Sequence, residues 1–162
     1  MTSARYIAVI GAGDCDEETR ALAAEVGRLI ARAGAVLVCG GLGGVMEAAC
    51  RGARSEGGVT IGILPGLDRS EGNAWLEYSI CTGTGHARNL AVVTSGDIVI
   101  AINGEFGTLS ELGHARKCGR IVITLDSWQI SRDGEAAEGI IPASSPAEAV
   151  KLAMETRPAG RS

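Results

Sequence analysis

One junction recurs along this chain: a short apolar run, a cluster of glycines, then a helical pattern. Residues 6–10 run into Gly11-Ala12-Gly13-Asp14, residues 35–39 into Gly40-Gly41-Leu42-Gly43-Gly44, and Ile98–Ile102 into Asn103-Gly104-Glu105-Phe106-Gly107-Thr108. Unbroken β-branched runs of this length are the pattern of strands covered on both faces. Helical stretches of ten or more residues between them require parallel neighbours, because a parallel crossover must travel the length of the sheet. The expected class is therefore α/β, a mostly parallel sheet with helices on both faces.

Further strands are expected at 59–64, 75–80, 120–125 and, on an edge, 139–142. Asp16 is placed to cap a helix that carries Leu22, Val26, Leu29 and Ile30 at helical spacing and stops at Gly34. A second helix spans Val45–Ser55, a third about 85–94, and a fourth carries Glu111 one turn inside its start. Ser145 and Pro146 read as the N-cap and first residue of a last helix. Residues 127–138 read as a lid or a loop. A single domain over residues 1–156 and a flexible tail over 157–162 complete the expectation.

An apolar fraction of 46% with 21% charged residues argues for a compact fold and against disorder. The net charge of −4 gives no general attraction for nucleic acid, so a phosphorylated ligand would need local donors. Cys15, Cys39, Cys50, Cys81 and Cys118 form no CxxC pair and only His86 and His114 accompany them. That spacing excludes the usual zinc sites and predicts reduced, buried thiols of a cytoplasmic protein; no metal ligand is assigned. No apolar run approaches membrane-spanning length, and no leader pattern precedes the first strand.

In a parallel sheet, ligands gather beyond the carboxyl ends of the strands, where the glycine clusters fall. Gly11 and Gly13 begin like a dinucleotide fingerprint, but Asp16 holds its third glycine position and no acid follows the second strand, which disfavours NAD. No Gly-Lys-Ser/Thr occurs, and Lys117 and Lys151 lie within helices, so neither a P-loop nor a pyridoxal Schiff base is expected. No Gly-x-Ser-x-Gly supports acyl transfer. Gly40, Gly41 and Gly44 let backbone approach a ligand closely, with Glu47 binding a ligand hydroxyl or amine or else answering the helix dipole. Arg88 is a bidentate partner for phosphate or carboxylate. Gly104, Gly107 and Thr108 build an anion-binding helix start, and Glu111 beside it suits proton transfer or cation stabilisation. His86 and His114 read as capping or packing residues. Trp75 and Tyr78 would cover a ring, fill the core or face a second subunit.

Gly40-Gly41-x-x-Gly44-x-Met46, His86-x-Arg88-Asn89 and Asn103-Gly104-Glu105-Phe106-Gly107-Thr108-Leu109-Ser110-Glu111 together resemble the LONELY GUY (LOG)-type family, often labelled lysine decarboxylase-like. Its signature reads PGGxGTxxE; Gly104, Gly107, Thr108 and Glu111 match it, and Arg88 matches the arginine of an Arg-Lys pair. Asn103 replaces the signature proline, Glu105 its second glycine and Asn89 the lysine. Glu47 in Gly-Gly-Val-Met-Glu-Ala-Ala is similar to the branch that includes molybdenum-cofactor carrier proteins. The resemblance implies a Rossmann-like three-layer sandwich with about six to seven strands. It implies a phosphoribohydrolase that cleaves the N-glycosidic bond of nucleoside 5′-monophosphates, including N6-modified adenine (cytokinin) ones, with Arg88 and Glu111 catalytic. The alternative it implies is a non-enzymatic carrier of the molybdenum cofactor or another phosphorylated ligand. No cofactor is required for hydrolysis, and a homodimer or homotetramer is expected.

Overall fold

The computed structural model describes residues 3–158. Its strands are β1 (Tyr6–Gly11), β2 (Val36–Cys39), β3 (Thr60–Leu64), β4 (Tyr78–Cys81), β5 (Ile98–Ile102), β6 (Val122–Leu125), β7 (Ser131–Arg132), β8 (Glu135–Ala136) and β9 (Ile140–Ala143). The helices are α1 (Glu17–Arg32), α2 (Val45–Ser55), α3 (Arg88–Ser95), α4 (Phe106–Lys117) and α5 (Pro146–Glu155). Seven strands form one sheet in the order β4-β3-β2-β1-β5-β6-β9, and every pairing within it is parallel. The three-layer Rossmann-like expectation is met.

Alternation along β1 shows how the layers form. Ile7 and Val9 join Val26 and Ile30 of α1, Ala49 of α2 and Ala149 of α5 in one core. Ala8 and Ile10 point the other way, to Val92 and Val93 of α3 and to Leu112 and Ala115 of α4. Successive strand side chains face opposite sides, so a run apolar at every position is buried twice. The five residues of β5 are all buried for that reason.

Asp16 caps α1 by accepting the Thr19 backbone N–H at 2.8 Å, with Glu17 and Glu18 in the first turn. The helix ends one residue before Ala33, and Gly34 follows at φ 72°. Ser145 caps α5 by accepting the Glu148 N–H at 3.1 Å, with Pro146 first in the helix. Two glycines inside helices set how closely α1 and α2 pack. A Cβ on Gly27 would sit 1.9 Å from the Ala49 carbonyl oxygen, and one on Gly52 would sit 1.9 Å from that of Ala24.

Several expectations need correction. Residues 127–138 are more than a loop: β7 and β8 pair antiparallel around Asp133 and Gly134, both at positive φ, the backbone a tight hairpin turn requires. The fourth strand starts at Tyr78, leaving Trp75 outside it and partly exposed. The helix expected over 85–94 begins as a 3₁₀ turn, Gly85–Ala87, before α3. Of the five thiols, Cys39 and Cys50 are buried, Cys15 and Cys81 are half-buried and Cys118 is exposed, so the expectation of uniform burial fails. The tail expected over 157–162 lies, from residue 159 on, outside the described residues.

Among the described residues no helix is long and apolar enough to cross a membrane.

Candidate functional site

The sheet order places β1 between β2 and β5, and the chain leaves these two sides of β1 towards opposite layers. After β1 it turns into α1; after β5 it turns into α4, across the sheet. The turns diverge and leave a crevice at the strand ends, where ligands bind in such folds. A cavity of about 370 Å³ opens there. Gly11, Ala12, Gly13 and Asp14 form one wall, Glu105, Gly107, Thr108 and Glu111 another, and Met46, Arg88 and Asn89 the rest.

Arg88 opens α3 and is only 8% exposed. Its Nη1 donates to the Asn89 Oδ1, while its Nε is buried with no hydrogen-bond partner. The guanidinium lies over Gly40: a Cβ there would come within 2.8 Å of Arg88 Nη2 and of Met46 Sδ. Gly40 therefore admits the arginine, and does not itself line the cavity. Burial lowers the Arg88 pKa, and the nearby Glu111 and Cys39 work against that.

Glu111 sits in the second turn of α4 at 9% exposure. Burial pushes its carboxyl up to about 7, in opposition to the pull of Arg88. A carboxylic acid that is half ionised near neutrality, facing a cavity with a buried guanidinium, can give or take a proton there. Thr108 is buried beside it, and the φ of 102° at Gly104 lets the chain pass the Thr108 side chain, which a Cβ would meet at 2.4 Å.

The other predicted positions divide. Gly13 and Gly107 line the cavity, and a Cβ on either would meet nothing within 4 Å. Gly11 lines it too, pressed against Val45. Gly44, at φ 61°, stands behind the wall: its Cβ would lie 2.2 Å from the Ala12 carbonyl, which instead accepts the Val45 N–H at 3.0 Å. Gly41 faces Leu64 and Leu76, and Glu47 is half-buried on α2; neither is part of the lining. Asp14, Met46, Asn89 and Glu105 are lining residues that no site role had been given. Asn89 and Glu105 are visible in the sequence as departures from the family motif and Met46 as a match to it; Asp14 carries no comparable signal.

Glu105 stands at the N-cap of α4 with no capping hydrogen bond from its side chain. Its carbonyl accepts the Trp128 indole N–H at 3.2 Å, and the Trp128 ring lies 5.5 Å from that of Phe106, which is 78% exposed. The hairpin segment is thereby fastened at the mouth of the crevice. A larger hollow of about 450 Å³ opens at the ends of β6 and β9, but it carries Glu18 and Asp126 and no basic side chain. It is the poorer host for an anion. Among the described residues no group of three or more His, Cys, Asp or Glu side chains is arranged to hold a metal ion.

Known proteins with the same layout are close at hand. The chain is 43% identical over 150 residues to an uncharacterised protein of Archaeoglobus fulgidus, covering 93% of this chain and 95% of that one. The molybdenum cofactor binding protein from the phototrophic bacterium Rippkaea orientalis superposes with a TM-score of 0.83 at 33% identity, over 94% of this chain and 96% of that one. The molybdenum cofactor carrier protein of Chlamydomonas reinhardtii superposes with a TM-score of 0.78 at 28% identity, over 95% of this chain and all of that one. The resemblance to the LOG-type family, on the side of the molybdenum-cofactor carriers, is borne out. Residues 4–150 match the SLOG cluster4 family, and this chain belongs to it.

Proposed function

We propose that this protein is a carrier that holds a small phosphorylated ligand, the molybdenum cofactor or a related phosphorylated pterin, in the crevice between β1 and β5 without turning it over. The observation that carries this reading is the likeness to two molybdenum cofactor binding and carrier proteins along nearly the full length of both chains. The site is compatible with it. A buried guanidinium with a free Nε and the open start of α4 at Gly107 and Thr108 suit an anionic group. A volume of about 370 Å³ suits a small molecule. Asp14 and Glu105 at the rim oppose a polyanion, so nucleic acid is not the ligand proposed. The molybdenum would arrive bound to its own pterin, with the protein gripping the organic part.

Anaerobic addition of the cofactor to the purified protein tests the reading. Molybdenum should co-elute with the protein, and ligand at about 100 times its Kd should add roughly 2.7 kcal/mol of stability. Absence of both refutes it. The carrier is proposed to work in the cytoplasm as a homodimer or homotetramer. Tyr78 and Ile80 on the edge strand β4, 56% and 52% exposed, are apolar surface for a second copy to cover.

One observation favours a second reading. Glu111, near 7 and beside Arg88, has the character of a proton-transfer group in a phosphoribohydrolase of nucleoside 5′-monophosphates. Ionised, it would steady the charge that develops on the ribose; Arg88 would fix the substrate. Incubation with AMP and N6-isopentenyl-AMP followed by assay of free base decides between the two. Release above a Glu111→Ala control replaces the carrier with the enzyme, and no release ends the hydrolase.

A further inference from the structure

We infer that Cys39 and Cys50 are an oxidisable dithiol beside the cavity, which hydrogen peroxide closes to a disulfide, removing a thiol next to Arg88. The effect on ligand affinity rests on the carrier reading; the disulfide does not.

Cys39 ends β2 and Cys50 lies on α2, both completely buried, with their Sγ atoms 3.5 Å apart. Three groups converge on the Cys39 sulfur: the Cys50 thiol, the Gly41 backbone N–H at 3.3 Å, and the charge of Arg88, whose guanidinium lies over the neighbouring Gly40. Two cysteines that merely filled the core would need neither the N–H nor the guanidinium. Together these donors lower the Cys39 pKa against the opposing cost of burial, towards the nucleophilic thiolate, while the bond to Cys39 and then burial hold the proton on Cys50. The pair is thus built as a nucleophile and a resolving thiol. Neither sulfur lines the cavity.

Arg88 and Met46 line the cavity, and both lie against Gly40, the residue after Cys39. Peroxide, little larger than water, reaches the sulfur when the Arg88 side chain swings aside. The Cys39 thiolate attacks one peroxide oxygen, the O–O bond breaks, and the departing hydroxide takes a proton and leaves as water. The Cys50 sulfur then displaces the second hydroxyl from the Cys39 sulfenic acid, and that hydroxyl leaves as water with the Cys50 proton. The peroxide has accepted two electrons and one S–S bond has formed. The two Sγ atoms have to approach from 3.5 Å to a bond of about 2.05 Å. A sulfur held in a disulfide cannot ionise, so thiolate at Cys39 no longer competes with an anion in the cavity for the Arg88 guanidinium.

The test uses the full chain carrying Cys118→Ser, which removes the exposed thiol. After peroxide treatment the protein is unfolded, alkylated and digested with trypsin. Arg32 and Arg51 bracket both cysteines in one peptide, 33–51. That peptide should emerge without alkyl groups and lighter by two hydrogens, and reductant should reverse this. With Cys50→Ala the reaction should stop at a sulfenic acid on Cys39, trapped by dimedone; with Cys39→Ala no trapped product should form. A fully alkylated 33–51 peptide after Met46 has become the sulfoxide overturns the proposal. So does a disulfide that appears only when peroxide is added to denatured protein. Inorganic phosphate should bind about tenfold more tightly to the oxidised form, the scale of one nearby charge removed. Equal affinity overturns the charge effect. If neither form binds phosphate, the charge effect falls, the carrier reading is still decided by addition of the cofactor, and the peptide map still decides the disulfide.

Discussion

Glu111→Gln should make the protein more stable, and only above a definite pH. Burial raises the Glu111 carboxyl from its ordinary 4.5 to about 7, with Arg88 pulling the other way. In the unfolded chain the group ionises near 4.5, so between that pH and 7 the folded state binds the extra proton. Stability therefore falls as pH rises through this window and stays low above it. At roughly 1.4 kcal/mol per pH unit, the full loss is about 3 kcal/mol. Glutamine copies the shape and hydrogen-bonding capacity of the protonated acid and cannot ionise. Urea unfolding of both proteins across pH 4 to 8.5 should give equal stabilities at the acid end. The variant should gain about 3 kcal/mol at the alkaline end, with an unchanged m-value. Curves that run parallel, or a variant weaker at every pH, would show that Glu111 is held ionised by its surroundings and refute the electrostatic account of the site.

Gly27→Ala should cost more than about 2 kcal/mol in thermal or urea unfolding, the upper part of the overpacking range, because its methyl group would lie 1.9 Å from the Ala49 carbonyl. Gly107→Ala should move stability and binding in opposite senses. Nothing stands within 4 Å of the new methyl, so α4 gains roughly 0.5–1 kcal/mol, yet the methyl fills the approach to the cavity and calorimetry should show weaker phosphate or cofactor binding. Glu105→Gly restores the second glycine of the family signature and removes a carboxylate from the start of α4; phosphate affinity should rise, most clearly at low salt.

The strands could be read from the sequence because burial on both faces writes an uninterrupted apolar run, as in Ile98–Ile102. The meeting of Arg88 with Glu111 could be read as well, since strand ends of a parallel sheet share one rim and both residues follow glycine turns at that rim. What escaped depends on partners distant in sequence. Gly27 and Gly52 have no local reason to interrupt helices; only the crossing of α1 and α2 supplies one. The contact of Cys39 with Cys50 joins a strand to a helix and follows no spacing rule. The β7–β8 hairpin has two-residue, exposed strands, too short for any alternation to register, although Asp133-Gly134 marks its turn. Gly41 lies in a glycine run that was read as facing a ligand as a whole, whereas the chain turns there and sends Gly41 towards Leu64.

The charges in the crevice bear on whether a bound ligand is kept or cleaved. A helix start ordinarily waits for an anion, but here Glu105 already stands at the N-cap of α4. Of the remaining acids that line the cavity, Asp14 is fully exposed and screened, while Glu111 is buried and faces the buried guanidinium of Arg88. A phosphate entering beside Glu105 brings more negative charge to Glu111, and like charge favours its protonated form. A bound phosphate would therefore push the Glu111 carboxyl in the same direction as burial does. Stabilising a glycosyl cation needs that group ionised, whereas a neutral Glu111 can still donate a hydrogen bond to a bound anion. The same glutamate that makes the empty cavity resemble a hydrolase becomes, on binding, a group suited to retention, which is why the carrier reading sits better with Glu105 than the hydrolase does.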